Sequence, residues 1–372
     1  MSAAVATAPG TAARPDFFER LVAWQRQHGR HGLPWQGTRD PYRVWLSEIM
    51  LQQTQVSTVL DYYPRFLQRF PDLKALAQAA QDEVLALWSG LGYYSRARHL
   101  HRCAQVVVDQ HGGRFPSSLS GLQALPGIGR STAAAIAAFC FGERVSILDG
   151  NVRRVLSRLL AFEGDLAEVA QERRLWDLAQ GLLPPVASHD DMSAYTQGLM
   201  DLGAGLCARS RPRCEACPVA ALCLARSQER VADFPVRTRR LKRQTFEWWW
   251  LVWRRPDGAI WLQQRPGTGI WAGLHCLPTF ASREEGLAWL AQHQAGTGGW
   301  QELDTVRHVL THRDLVLRPL RLDRPGSTCE AMEATETASG RSGLWVRTHA
   351  DLLTVGVPAP LRTLLLGLLP DT

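Results

Sequence analysis

The 372-residue chain contains no apolar run approaching the ~18 residues that a membrane span requires. Its first 15 residues are small and mostly uncharged, and they lack the basic start and long apolar stretch of a secretory signal. They are expected to be a disordered leader, and the missing targeting signal points to a bacterial cytoplasm, in association with the nucleoid. No internal repeat is evident, which argues against a solenoid. Lysine is nearly absent: it occurs only at Lys74 and Lys242, so the 42 basic side chains are almost all arginine, a bias that GC-rich coding alone can produce. A disulfide framework is also missing. Four of the eight cysteines (Cys103, Cys140, Cys276, Cys329) are scattered, as in a protein of a reducing compartment.

A chain this long exceeds one ordinary compact core, so two domains are expected. Residues 16–223 read as predominantly helical. Apolar residues recur at three- and four-residue spacing over 42–56, 76–89, 131–141, 152–162 and 192–206. Turn signals separate these stretches, among them LPGIG at 125–129 and LPP at 183–185. Residues 224–245 show no periodicity and carry seven basic and two acidic side chains, which reads as a basic interdomain linker. Beyond it the pattern changes. WWWLVWR, AIWLQQR and LVLRPLRL are rich in β-branched and aromatic residues and predict strands of a small α+β domain over 246–372. Nine of the 14 tryptophans lie there, mostly as core, and residues 325–343 read as a polar loop. The net charge of +7 favours a polyanionic partner.

Cys207, Cys214, Cys217 and Cys223 fall within 17 residues, spaced by six, two and five. Four thiolates this close can enclose one metal centre, and zinc and iron–sulfur clusters both accept such a set. A zinc ribbon usually has two CxxC pairs further apart. Arg209, Arg211 and Arg213 lie between the first two ligands and could meet phosphates. Upstream, Leu125-Pro126-Gly127-Ile128-Gly129-Arg130-Ser131-Thr132 lies between two helical stretches. Its glycines permit a tight turn and close backbone approach, and the next helix offers free amides to an anion.

Two carboxylates occupy contrasting settings. Glu48 has Val44, Trp45, Leu51 and Gln52 as its helical neighbours; apolar company raises a carboxyl pKa. Asp149 immediately precedes the helix starting near Gly150, where capping and the helix dipole favour the anion. One proton donor and one anion are what cleavage of a glycosidic bond through an oxocarbenium-like state needs.

In order along residues 33–223, LPWxxxxxPY, WLSEIMLQQTQV, GLGYYSRARxL, LPGIGRSTA, ILDGNVxRVL and the cysteine loop resemble the adenine DNA glycosylases of the MutY type, in the endonuclease III superfamily. The resemblance implies an all-α helix–hairpin–helix glycosylase region with a single 4Fe-4S cluster on Cys207, Cys214, Cys217 and Cys223, here acting as a loop clamp. It implies that Glu48 protonates adenine at N7 and helps activate water, and that Asp149 stabilises the oxocarbenium ion. Gln53 would wedge into the duplex, Tyr93 would pack near the lesion, and Gln197 would lie by the extruded adenine. Gly127, Gly129, Ser131 and Asn151 would contact DNA. Glycosylase/lyases of this superfamily carry a Schiff-base lysine after the hairpin; the matching residue here is Ser131, which implies a monofunctional, water-using enzyme.

The second domain resembles the family's Nudix-like lesion-recognition domain, where Phe-Ser-His is usual. This chain has Leu310-Thr311-His312, keeping the hydroxyl and the imidazole but losing the ring. A catalytic Nudix box is not visible, so nucleotide hydrolysis and a nucleotide cofactor are not expected. The expected function is removal of adenine opposite 8-oxoguanine or guanine in double-stranded DNA, by a monomer with no membrane partner. The alternatives are an endonuclease III-like glycosylase/lyase on oxidised pyrimidines and a non-catalytic DNA-binding module.

Overall fold

The computed structural model describes residues 16–238, 243–292, 300–323, 333 and 343–371. The expected leader (1–15), most of the expected polar loop (325–343) with Cys329, and positions 239–242 of the expected linker lie outside the described residues. The chain forms two compact units, one of residues 1–63 and 106–240, the other of 64–105 and 241–372. No helix among the described residues is long and apolar enough to cross a membrane.

The helices, in chain order, are α1 (Asp16–His28), α2 (Pro41–Leu51), α3 (Val56–Arg69), α4 (Leu73–Gln78), α5 (Gln81–Leu87), α6 (Ser95–His111), α7 (Leu119–Gln123), α8 (Arg130–Phe141), α9 (Gly150–Leu159), α10 (Val169–Gly181), α11 (His189–Ala204) and α12 (Leu224–Ser227). The division between the units falls inside α3 and inside α6. In the first unit, α8 carries the run Ala133–Ala138, interrupted only by Ile136, all of it buried. Small side chains let α2, α7 and α11 pack closely on α8. Phe17 and Leu21 of α1, Trp45 of α2 and Tyr195 of α11 are fully buried. Each such side chain contributes about 1.5–3 kcal/mol of burial.

Three helices end earlier than their periodicity suggests. The stretch expected over 42–56 stops at Leu51, and Gln53 turns left-handed at φ 56°. The stretch 76–89 is two helices, because an Asp72 cap starts α4 early and Ala79 and Ala80 are extended. The stretch 152–162 stops at Leu159: Ala161 has φ 44° and the Phe162 amide donates back to Ser157 O. Apolar spacing continues through all three breaks, so it could not reveal them. Residues 224–238 of the expected linker pack on the first unit, with Ala225 and Phe234 buried and Leu166 N donating to Val236 O.

The second unit is built on the strands β1 (Gln244–Arg254), β2 (Ile260–Gln264), β3 (His275–Cys276), β4 (Thr279–Phe280), β5 (Trp300–Glu302), β6 (Val306–Val309), β7 (Arg313–Asp323) and β8 (Gly343–Val346). They form one sheet with the path β3-β2-β1-β7-β5; β4 pairs with β1, β6 with β7 and β8 with β2. β1 and β7 run parallel from Gln244↔Arg313 to Arg254↔Asp323, and every other pair is antiparallel. Residues 250–253 of β1 are consecutively buried, so both faces are covered there, which accounts for the apolar run WWWLVW at 248–253. Leu251, Trp253, Trp261 and Leu322 pack with Trp289 and Leu290 of α13 (Arg283–Gln292). Short helices α14 (His349–Leu353) and α15 (Ala359–Leu366) follow. The turn between β6 and β7 is closed by Leu310 N donating to Arg313 O at 2.8 Å, leaving Thr311 and His312 exposed at its tip.

Candidate active site

Helix α2 starts on Asp40, whose carboxylate accepts the Tyr42 amide, with Pro41 at the first helical position. It buries Val44, Trp45, Leu46 and Ile49, so Glu48 emerges among apolar neighbours. Glu48 keeps partial access to solvent, yet protein atoms enclose its carboxyl closely. Burial, and then repulsion by Asp149, push its pKa up to about 8. The two carboxyls are thus electrostatic neighbours.

Asp149 is held by its own helix. Its Oδ1 accepts the Val152 amide at 2.7 Å, and its carbonyl accepts the Arg153 amide. The residue before it is tied to the hairpin: Leu148 N donates to Ser131 Oγ at 3.2 Å. The Ser131 hydroxyl thereby holds the backbone beside Asp149.

The hairpin joins α7 to α8. Leu125 and Ile128 are buried and anchor it, while Gly127 and Gly129 are exposed. Gly127 has φ 75°, which explains glycine there. Gly129 lies at φ −80° and caps α8 without a side-chain bond, so the first amides of α8 have no side-chain cap. Arg130 follows, its guanidinium carbon 4.2 Å from the centroid of Trp176.

Gln53 is exposed just beyond α2, and its neighbour Gln52 donates to Thr132 Oγ1 at 3.2 Å. Gln197 is partly buried, and its amide donates to Asp201, which also accepts the backbone and side chain of Arg30. Asn151 accepts from Arg154. In the second unit, Tyr93 is 44% exposed at φ 48°, and its hydroxyl lies 2.8 Å from Thr311 Oγ1. His312 is exposed beside Thr311, and His308 packs against Trp271.

Cys207, Cys214, Cys217 and Cys223 all line one cavity, walled by Val155, Leu159, Leu202 and Val219. Two arginines of α9 organise its rim. Arg154 donates to the carbonyls of Cys207 and Gly203. Arg158, 4% exposed, donates to Cys207 Sγ at 3.4 Å and to the carbonyls of Ala208, Arg209, Val231 and Phe234. It thereby joins the start of the cysteine loop to the segment after it. The sequence reading missed both, although their four-residue spacing on the apolar face of Val155 and Leu159 was a usable signal.

Residues 46–180 match the family of HhH-GPD superfamily base excision DNA repair proteins, and residues 249–367 match the NUDIX domain family. The chain is 34% identical over 310 residues to the adenine DNA glycosylase of Buchnera aphidicola subsp. Acyrthosiphon pisum, spanning 83% of this chain and 87% of that protein. It is 31% identical over 356 residues to the adenine DNA glycosylase of Buchnera aphidicola subsp. Schizaphis graminum, spanning 94% and 97%. With the adenine DNA glycosylase of Homo sapiens it shares 45% identity over 217 residues, 56% of this chain and 39% of that one.

Proposed function

The chain belongs to the adenine DNA glycosylase family, and from that premise we propose how its own residues carry out base excision on adenine paired with 8-oxoguanine or guanine. It is an N-glycosyl hydrolase of base-excision repair, and it binds DNA. The observation that carries the mechanism is the pairing of Glu48, its carboxyl pushed up to about 8, with Asp149 fixed as a helix cap.

The target bond is inaccessible within the stack, so adenine must leave the duplex first. Gln53 fills the vacated space, and Gln197, oriented by Asp201, lies beside the extruded base. Protonated Glu48 gives its proton to adenine N7. The C1′–N9 bond then breaks with its electron pair going to the base, and the Asp149 carboxylate stabilises the oxocarbenium ion left on the sugar. Water adds to C1′ and returns a proton to Glu48, leaving free adenine and an abasic site. Ser131, not a lysine, follows the hairpin, so the strand is expected to stay intact. The hairpin amides at Gly127 and Gly129, together with Asn151 and Ser131, position the backbone. Tyr93, Thr311 and His312 face the base opposite adenine.

The four cysteines suit one 4Fe-4S cluster: all four line one cavity with Val155, Leu159, Leu202 and Val219, and an arginine donates to one sulfur. Cys207, Cys214, Cys217 and Cys223 would hold it, and when bound it would cross-link a loop that carries Arg209, Arg211 and Arg213. Iron and sulfide analysis distinguishes it from zinc.

The test is single-turnover adenine release from a duplex with adenine opposite 8-oxoguanine, comparing wild type with Glu48→Gln. Release by wild type, strand breakage only after alkali, and none from the variant are expected. Tight binding without release would overturn the reading in favour of a non-catalytic DNA-binding module.

A further inference from the structure

The turn from Gly90 to Tyr93 holds three residues at positive φ within four positions. Gly90, Gly92 and Tyr93 have φ of 108°, 70° and 48°. Glycine adopts such angles freely, but at Tyr93 the Cβ crowds the backbone, so something must hold the residue there. Arg96, at the start of α6 and only 9% exposed, reaches back under the turn. Its Nη2 donates to the carbonyls of Leu91 at 3.1 Å and Gly92 at 3.2 Å. Its guanidinium carbon lies 5.3 Å from the Trp88 ring centroid and 5.5 Å from that of Tyr93. Trp88 Nε1 donates to the same Gly92 carbonyl at 3.2 Å. The ring that leaves this clamp ends in the hydroxyl that meets Thr311.

We propose that Arg96 is a positioning residue for recognition of the base opposite adenine: by gripping both carbonyls and one face of the Tyr93 ring, it fixes the Tyr93–Thr311 pair. Arg96 is buried below the turn and acts only through Tyr93. The inference rests on Tyr93 and Thr311 facing the lesion. A planar guanidinium suits the task, because one nitrogen can serve two carbonyls while its face stacks on rings. The turn and the β6–β7 tip are distant in sequence, so without the clamp each would sample its own conformations.

The test uses the full chain. Arg96→Met removes the donors but keeps a stem between the rings, and Trp88→Phe removes the other donor to Gly92 while keeping a ring. Adenine release is measured opposite 8-oxoguanine and opposite guanine, and the ratio of the two rates is the readout. The expected result is a ratio lowered about three- to tenfold in both variants, with the rate opposite guanine within about twofold of wild type. Arg96→Lys, which can reach one carbonyl, should give an intermediate ratio. Equal falls in both rates would mark Arg96 as a general stabiliser and overturn the proposal, as would an unchanged ratio while Tyr93→Phe lowers it. If Tyr93→Phe and Thr311→Ala also leave the ratio unchanged, the lesion assignment itself fails and takes the proposal with it.

Discussion

The first unit carries its polar chemistry where a short stretch of sequence sets the backbone, whereas the second carries it on two turns that are distant in the chain. Glu48, Asp149 and the hairpin glycines each sit where a local pattern also dictates the backbone: an apolar helix face, an N-cap, a glycine turn. Tyr93 and Thr311 lie 218 residues apart, meet through tertiary packing alone, and depend on a left-handed tyrosine. Chemistry placed on regular elements is rigid, and recognition placed on turns is adjustable. Substitutions in the first unit should therefore abolish activity, and those in the second should retune it.

The largest effect is expected from Cys214→Ala. Losing one of the four thiols that line the cavity should remove the iron and the soluble fold together, and normal yield of an iron-free protein would contradict it. Next comes Glu48→Gln, with adenine release reduced about 10²–10⁴-fold in single-turnover assays. The sign with pH follows from its raised pKa. The acid form dominates below about 8, so wild-type release should fall as pH rises through about 8. Between the ordinary 4.5 and about 8, the folded chain holds a proton that the unfolded chain has lost, so stability should fall with rising pH over that window. Glu48→Gln should flatten that slope in thermal melts.

Asp149→Asn separates two duties. Asparagine caps a helix as well as aspartate, so melting should barely change while release falls about 10²-fold or more. The residual alkaline limb should also move below 8, since Asp149 is one cause of the Glu48 shift. A large drop in melting temperature would show that charge as well as geometry makes the cap. The smallest effect is expected from Thr311→Ala: loss of one hydroxyl contact should weaken preference for 8-oxoguanine over guanine about two- to tenfold. Full loss of release there would erase the contrast between the units.

What was legible in the sequence follows the same division. The Asp149 cap, the hairpin and the cysteine spacing are local, and the chain states them within a few residues. The apolar setting of Glu48 was visible from its three- and four-residue neighbours. The end of α2 at Leu51 was not, because Gln52, Gln53 and Gln55 are acceptable helix residues and only the left-handed Gln53 betrays the stop. The part played by Arg158 was not legible, since its carbonyl partners come from segments 50 to 76 residues away. The grouping of residues 64–105 with the sheet left no local trace, because hydrogen bonds such as Ser89 and Tyr94 to Val357 O arise only on folding.

Asp149 and Glu48 also stand on opposite sides of natural selection for robustness. A cap that serves as the anion is retained by any pressure that favours a stable fold. A buried acid is opposed by that same pressure, since a neutral side chain would fit its site at less cost. In a population screened only for heat resistance, position 48 should drift first, and what survives would be well-folded lineages that still grip DNA yet no longer cut adenine from it.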